Sequence, residues 1–257
     1  MNSGSAISVQ KFGIDFAHTR WSMVAAVREG GEVDARDSLR ALCQRYWVPV
    51  YAYVRLCGHA PAAANRLVQH FLSHLVQMLR IEQSDIAMGF RGYLEAQLAE
   101  FLDSDAARRA ITAETGHAGM QPPWPLEQIE QRLHIANTDV KTPSQGFHRA
   151  FALEMLANAL ERLRHEAEES GRSELFDRVR PFLSREPTQA EYDGLAAQMG
   201  SSQLAAIIAV KRLRQRFQEL IDTELAQTVG DSHALESEKH TLLTIVSPDK
   251  NSEQRQE

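Results

Sequence analysis

The sequence predicts an all-α fold of two helical domains joined by a long linker, the second domain containing a helix-turn-helix. Three observations carry that expectation. Apolar residues recur at spacings of three and four along most of the 257 residues, which places them on one face of a helix. Proline and glycine concentrate between 111 and 146, at Pro122, Pro123, Pro125, Pro143, Gly116, Gly119 and Gly146, where they interrupt helical structure. A short and a long helical pattern meet at Gly200, with Ser201 and Ser202 directly after it.

From Ala35 to Leu56, the residues Leu39, Leu42, Tyr46, Val50, Tyr53 and Val54 keep helical spacing. The run VPVYAYV (48–54) has the β-branched and aromatic richness of a strand, yet it sits inside that pattern. Pro49 removes a backbone donor and crowds the preceding turn. The stretch is therefore expected as two helices or one kinked helix, ending near Gly58. Pro61 suits a first helical turn and opens a helix with the inner stripe Leu67, Phe71, Leu75 and Leu79, widened by Leu72, Val76 and Met78. A third helix is expected from Phe90 to Arg109, with Tyr93, Leu94, Leu98, Phe101 and Leu102 inward. Together these helices can close one small core over 19–110. The linker spans 111–141 and holds one short helix at Leu126–Leu133.

Periodicity resumes at Phe147 and runs through Phe151, Leu153, Leu156, Leu160 and Leu163. Another helix is expected near Ser173–Leu183, and two more between Gln189 and Gln227. The second domain covers 142–230, and its hydrophobic stripes on either side of Gly200 are expected to close a core of their own. The tail, 231–257, is polar and acidic apart from LLTIV (242–246). It is expected to fray, or to dock only through that patch.

Composition narrows the function classes. With 43% hydrophobic and 24% charged residues, the chain can pack a core and is not globally disordered. No stretch approaches the roughly 18 apolar residues of a membrane span, and the opening MNSGSAISVQKFG lacks the apolar segment of a signal peptide. Cys43 and Cys57 are too few and too far apart for a CxxC site or a disulfide framework. A reducing, cytoplasmic compartment is expected. A net charge of -6 argues against a surface broadly coated by nucleic acid and leaves room for a local basic patch. There is no GxSxG elbow, Walker loop, GxGxxG turn or HExxH pair, so neither catalytic residues nor a cofactor are expected. His70 and His74 lie one helical turn apart, with His59 and Cys57 upstream, but no carboxylate completes a metal set. They read as solvated positions beside an apolar stripe, and no metal site is expected. Glu161, Glu166, Glu168 and Glu169 read as a solvated helix face.

The informative segment is YDGLAAQMGSSQLAAIIAVKRLRQRFQEL (192–220). A short helix with Leu195, Ala196 and Met199 inward meets a tight turn at Gly200, and Ser201 or Ser202 caps a longer helix. This is the layout of a helix-turn-helix, whose second helix enters the DNA major groove. Lys211, Arg212, Arg214 and Arg216 make that helix basic over its second half, and phosphates attract such a stripe. These residues equally describe an ordinary helical hairpin with a solvated basic face.

The whole pattern resembles the extracytoplasmic-function-type sigma factors of the sigma-seventy family, in a long-linker branch. Arg212-Leu213-Arg214 after an LAxxxG-S turn is similar to region four. TPSQGFHRAFALEMLANALERL (142–163) is similar to the entry to that region, which typically reads TPxxxFDRxWAxxLLxxALxxL. TRWSMVAAV (19–27), YWVPVYAYVRLCGH (46–59) and LVQHFLSHLV (67–76) resemble region two, and MGFRGYLEAQLAEFL (88–102) resembles its GxFRxxLxxxLxxFL run. The resemblance covers 19–230 with its parts in order. It implies one domain for polymerase and the −10 element and another for the −35 element. The implied partners are the RNA polymerase core, through its beta-prime coiled coil, and promoter DNA, with no membrane. Ser202, Gln203, Ala206 and Ile207 would approach base edges, while Lys211, Arg212, Arg214 and Arg216 hold phosphates. Arg66, Leu67, Gln69, His70 and Phe71 would mark the polymerase-facing helix.

The chain departs from the family in four places. The acidic DAED-like segment before LTQ is here Ala63-Ala64-Asn65-Arg66, followed by Leu67-Val68-Gln69, and no Asp or Glu occurs between Gly58 and Ile81. Charge complementarity towards polymerase is thereby weakened or reversed. Some branches with a non-acidic segment rely on a Ser/Thr kinase to add negative charge, which brings a kinase or another regulatory protein in as a partner. The threonine of LTQ is Val68 here, however, and Ser73, the nearest hydroxyl, is not in the matching place. The basic tail of region two carries Asp103, Asp105 and Glu114 beside Arg108 and Arg109. A recognition-helix position often held by lysine is Ile207, next to Ile208. Two adjacent isoleucines are both buried only if the helix packs on two sides, so one is expected to face a thymine methyl or a protein partner. These departures favour a second reading: a sigma-derived protein-interaction regulator that no longer directs initiation.

Overall fold

The computed structural model of the protein describes residues 32–81, 90–112, 121–136, 140–226 and Lys239. Among them every regular element is helical. Helix α1 (Glu32–Leu56) runs unbroken through VPVYAYV with Pro49 inside it, so this stretch is one helix and not two. Cys43, Tyr46, Trp47, Val48, Val50, Tyr51, Ala52 and Val54 are each at most 2% exposed. These positions spread round most of the circumference, as they do in a helix surrounded by others. That burial accounts for the strand-like composition, because an apolar run buried all round carries no amphipathic period. The helix ends at Leu56, near Gly58 as expected, and Gly58 has φ +94.

Helix α2 (Pro61–Ile81) buries Ala64, Leu67, Val68, Phe71, Leu72 and Leu75 against α1. The expected third helix is two: α3 (Phe90–Asp103) and α4 (Asp105–Thr112). Ser104 makes the break. Its hydroxyl donates to the Phe101 carbonyl at 2.6 Å and accepts from the Ala107 amide at 3.3 Å, ending one helix and capping the next. Inside the expected linker, α5 (Leu126–Ala136) buries Ile129 and Leu133. Its Glu130 accepts from Arg55 Nε at 2.8 Å and from the Tyr51 hydroxyl. Burial, and then Glu130, push the Tyr51 phenol above its ordinary range.

Helix α6 (Pro143–Glu169) starts at a capping box between Thr142 and Gln145. It is followed by α7 (Ser173–Val179), a 3-10 turn (Arg180–Phe182), α8 (Gln189–Gln198) and α9 (Gln203–Ala226). The most extensive helix pair is α1 on α6. At its centre Tyr46 and Phe151 stack with ring centroids 5.6 Å apart, and the Arg91 guanidinium lies 5.1 Å from the Phe151 centroid. Helix α9 packs back on α6 and places Leu220, Ile221 and Leu225 in the same core.

One buried cluster therefore runs from Cys43 to Leu225, across residues 111–141. A smaller one, of Val179, Leu195, Ala196, Ala206 and Val210, lies wholly within the last four helices. The apolar faces around Gly200 thus have a core of their own, while the inner face of α6 shares its core with α1. Residues 19–27, the side chains of Leu39, Leu42, Val76 and Leu79, and LLTIV lie outside the described residues. Lys239 is described, and its Nζ lies 2.7 Å from Asp222 of α9.

The two cysteines give a direct check of this packing. Cys43 is buried, which pushes its thiol up to about 12. Cys57 is exposed beyond the end of α1, its thiol raised less, by partial burial and then by Asp103. Thiolate is the reactive species. A disulfide reagent at mildly alkaline pH is expected to modify Cys57 alone in the native protein and both cysteines in denaturant, counted by the absorbance of the released thiol. Two fast-reacting thiols in the native state would contradict the burial of α1.

Candidate nucleic-acid interface

The turn between α8 and α9 is set by local hydrogen bonding. Gly200 has φ +58, a conformation that strains any residue with a Cβ. Its amide donates to the Ala197 carbonyl at 3.2 Å, and the Ser201 amide donates to the Ala196 carbonyl at 3.0 Å. These two bonds form a Schellman closure of α8. Ser202, the second of the two candidate caps, accepts from the Ala205 amide at 3.3 Å and opens α9. At the other end of α8, Thr188 and Glu191 form a capping box. Arg185 binds Glu191 at 2.5 and 2.9 Å, and these bonds hold the Glu191 carboxyl at about 2.

The predicted DNA-facing residues divide into two groups. Ser202, Ile207, Lys211 and Arg212 are exposed, and Lys211 and Arg212 form no ion pair among the described residues. Ala206 is fully buried in the small cluster with Leu195 and Val210. It supports the helix crossing and does not reach a base edge. Gln203 donates to Asp193 of α8 at 2.5 Å. Arg214 donates to the Phe182 carbonyl at 2.7 Å and also binds the Arg185 carbonyl and Glu186. It therefore pins α9 to the loop before α8. Arg216 holds Glu166 through two bonds of 2.8 and 2.7 Å and Glu219 at 2.9 Å. Glu166 is thus a structural partner rather than a solvated charge. Arg216 is exposed as well but carries these ion pairs, so of the expected stripe of four cations Lys211 and Arg212 are the two that are exposed with no ion pair among the described residues.

Both isoleucines are exposed, Ile207 by 38% and Ile208 by 40%, beside Leu204 at 65%. Leu204 belongs to none of the motifs, and its place three and four residues before the isoleucines is the one signal that marks it as their neighbour on one face. Ile208 also borders a groove of about 540 Å³ between α6, α7 and α9, whose walls include Leu163, Phe176 and Leu213 and whose rim carries Arg172, Arg212 and Arg216.

On α2 the structure corrects the expected polymerase face. Leu67 and Phe71 belong to the core, and Gln69 is buried beside them. Arg66 is half-buried and donates to the Ile111 carbonyl of α4 at 2.9 Å, and His70 is half-buried. Helical period, not the aligned motif, decides which way these side chains point.

No protein-family model, curated protein or solved structure matches the chain. Among the described residues, no helix is long and apolar enough to cross a membrane.

Proposed function

We propose that this chain is a sigma-type transcription initiation factor that binds the RNA polymerase core and promoter DNA, with α9 as its DNA-reading helix. No catalytic residue or cofactor takes part. One arrangement carries the reading: a glycine-closed turn leads into a capped helix that presents Lys211 and Arg212 to solvent, in the layout of a helix-turn-helix. Phosphates would meet Lys211 and Arg212, and the free end of α9 at Ser202 would receive one more. Arg214 and Arg216 hold the helix in place. Gln203 would have to leave Asp193 before pairing with a base. The resemblance of 19–230 to sigma regions two and four supports the same reading.

The test is a salt titration of duplex binding. Arg212→Ala is expected to weaken binding to all sequences and to flatten the salt slope by about one unit. Arg214→Ala is expected to lower the unfolding midpoint instead, since its partners are carbonyls and Glu186 of the same chain. Absence of DNA binding by the wild-type protein at low salt would defeat the reading.

A second reading, a sigma-derived protein-interaction regulator, is favoured by one observation: Leu204, Ile207 and Ile208 form an exposed apolar face where base contacts would fall. Capture of core polymerase by the purified protein separates the two, because a regulator without initiation activity would leave the core unbound.

A further inference from the structure

We infer that the groove between α6, α7 and α9 binds a single aliphatic chain ending in an anionic head, of the class of the long-chain carboxylates. Its volume of about 540 Å³ falls within the roughly 300–1,000 Å³ of sites that take small molecules. The floor is apolar, built by Leu163 of α6, Phe176 of α7 and Leu213 of α9. The space itself comes from Ala167 on α6 and Ala205 and Ala209 on α9, where longer side chains would close the gap.

The polar side chains of the groove decide what the head must be. Glu166 and Arg216 hold each other through two bonds of 2.8 and 2.7 Å. The Ser170 hydroxyl donates to the Glu166 carbonyl at 2.8 Å. Arg172 and Arg212 are left. Both are exposed, and among the described residues neither guanidinium has a hydrogen bond or ion pair. Every uncommitted polar side chain that lines the groove is therefore a cation. Arg172 is set on the rim by Gly171, whose φ is +66, in a turn closed by the Arg172 amide donating to the Ala167 carbonyl at 2.7 Å. Arg212 joins it from α9. A guanidinium fork meets a carboxylate through two parallel bonds. Two such forks above an apolar floor suit a molecule that is aliphatic along its length and negative at one end.

Arg212 is also one of the two cations offered to phosphate, so this ligand and a duplex compete for it. That competition rests on the proposed function; the binding itself does not.

Calorimetric titration of the full chain with sodium dodecanoate, below its micelle concentration, tests the site. One molecule per chain is expected to bind. Each methylene removed from the probe should weaken binding about two- to fourfold, fourfold corresponding to full burial. Dodecyltrimethylammonium, the same chain with a cationic head, should bind about tenfold more weakly or worse. Arg172→Gln with Arg212→Gln should lower dodecanoate affinity about tenfold and leave the unfolding midpoint in place, since neither guanidinium is bonded within the fold. Ala205→Trp and, separately, Ala167→Leu should abolish binding by filling the groove from α9 and from α6. No binding of dodecanoate, equal affinity for the two head groups, or binding unchanged by both filling variants would overturn the site. The head-group comparison uses the unaltered chain, so it decides even where a variant fails to fold. Phosphatidylglycerol vesicles distinguish the source of the anion: attachment to vesicles without binding of free dodecanoate would mean a charged surface and no chain-binding groove. Random-sequence duplex reports the consequence separately, and dodecanoate should weaken its binding several-fold. If dodecanoate binds as expected while the duplex does not bind at all, the groove site stands and the DNA-reading proposal falls.

Discussion

Trp47→Ala is expected to lower stability by about 3–5 kcal/mol, the range for emptying a buried large aromatic site, and to do so for α1, α6 and α9 together. Trp47 is 0% exposed in the middle of α1. The cluster it belongs to holds Tyr46, Phe147 and Phe151 as well as Leu220 and Leu225. A cavity there removes contacts from both sides of 111–141. Trp47→Phe is the milder partner experiment, because it keeps most of the volume and removes an indole N–H that has no acceptor among the described residues. Urea unfolding followed by far-UV circular dichroism checks both. One transition shifted to lower urea by Trp47→Ala, and much less by Trp47→Phe, is the expected result. A second transition left unmoved by Trp47→Ala would mean that residues 142–226 hold together without α1.

What was legible in the sequence follows from how far apart the deciding atoms lie. Pro61 marks a helix start by its fixed φ and Gly200 marks a helix end through bonds within a turn, and these boundaries can be read directly. The Thr142–Gln145 box is just as local, yet Pro143 and Gly146, which read as interruptions, lie inside α6, and the apolar period starts only at Phe147. Ser104 works just as locally, yet the apolar spacing of Phe101, Leu102 and Ala106 continues across it, and periodicity alone draws one helix through the break. Arg214 and Arg216 look like free cations because Glu186 and Glu166 lie 28 and 50 positions away. Nothing in the local pattern announces those partners. On α2 two signals conflicted. Leu67 and Phe71 fit an inner stripe by period and a polymerase face by motif, and burial of their side chains follows the period.

Loss of the Glu224 carboxylate is expected to be comparably severe, for an electrostatic reason. Glu224 is 6% exposed near the end of α9. It binds Arg45 of α1, itself 16% exposed, and Arg162 of α6 at 3.0 Å. One carboxylate thus ties together the first, sixth and last described helices. Arg162 is nearly half exposed, so solvent screens its share; the Arg45 pair carries most of the effect. Burial lowers the Arg45 guanidinium from its ordinary value, and Glu224 is the first of the opposing influences. Glu224→Met keeps the volume but takes away the charge facing Arg45, and is expected to cost about 3–5 kcal/mol. Arg45→Met in that background should recover a large part of the loss, since a buried ion pair exchanged for apolar side chains of similar size is often neutral. A double-mutant cycle by urea unfolding isolates the coupling. If Glu224→Met alone and the double variant prove equally unstable, the carboxylate acts through packing at the α9 end, and the charge on Arg45 is held by something other than Glu224.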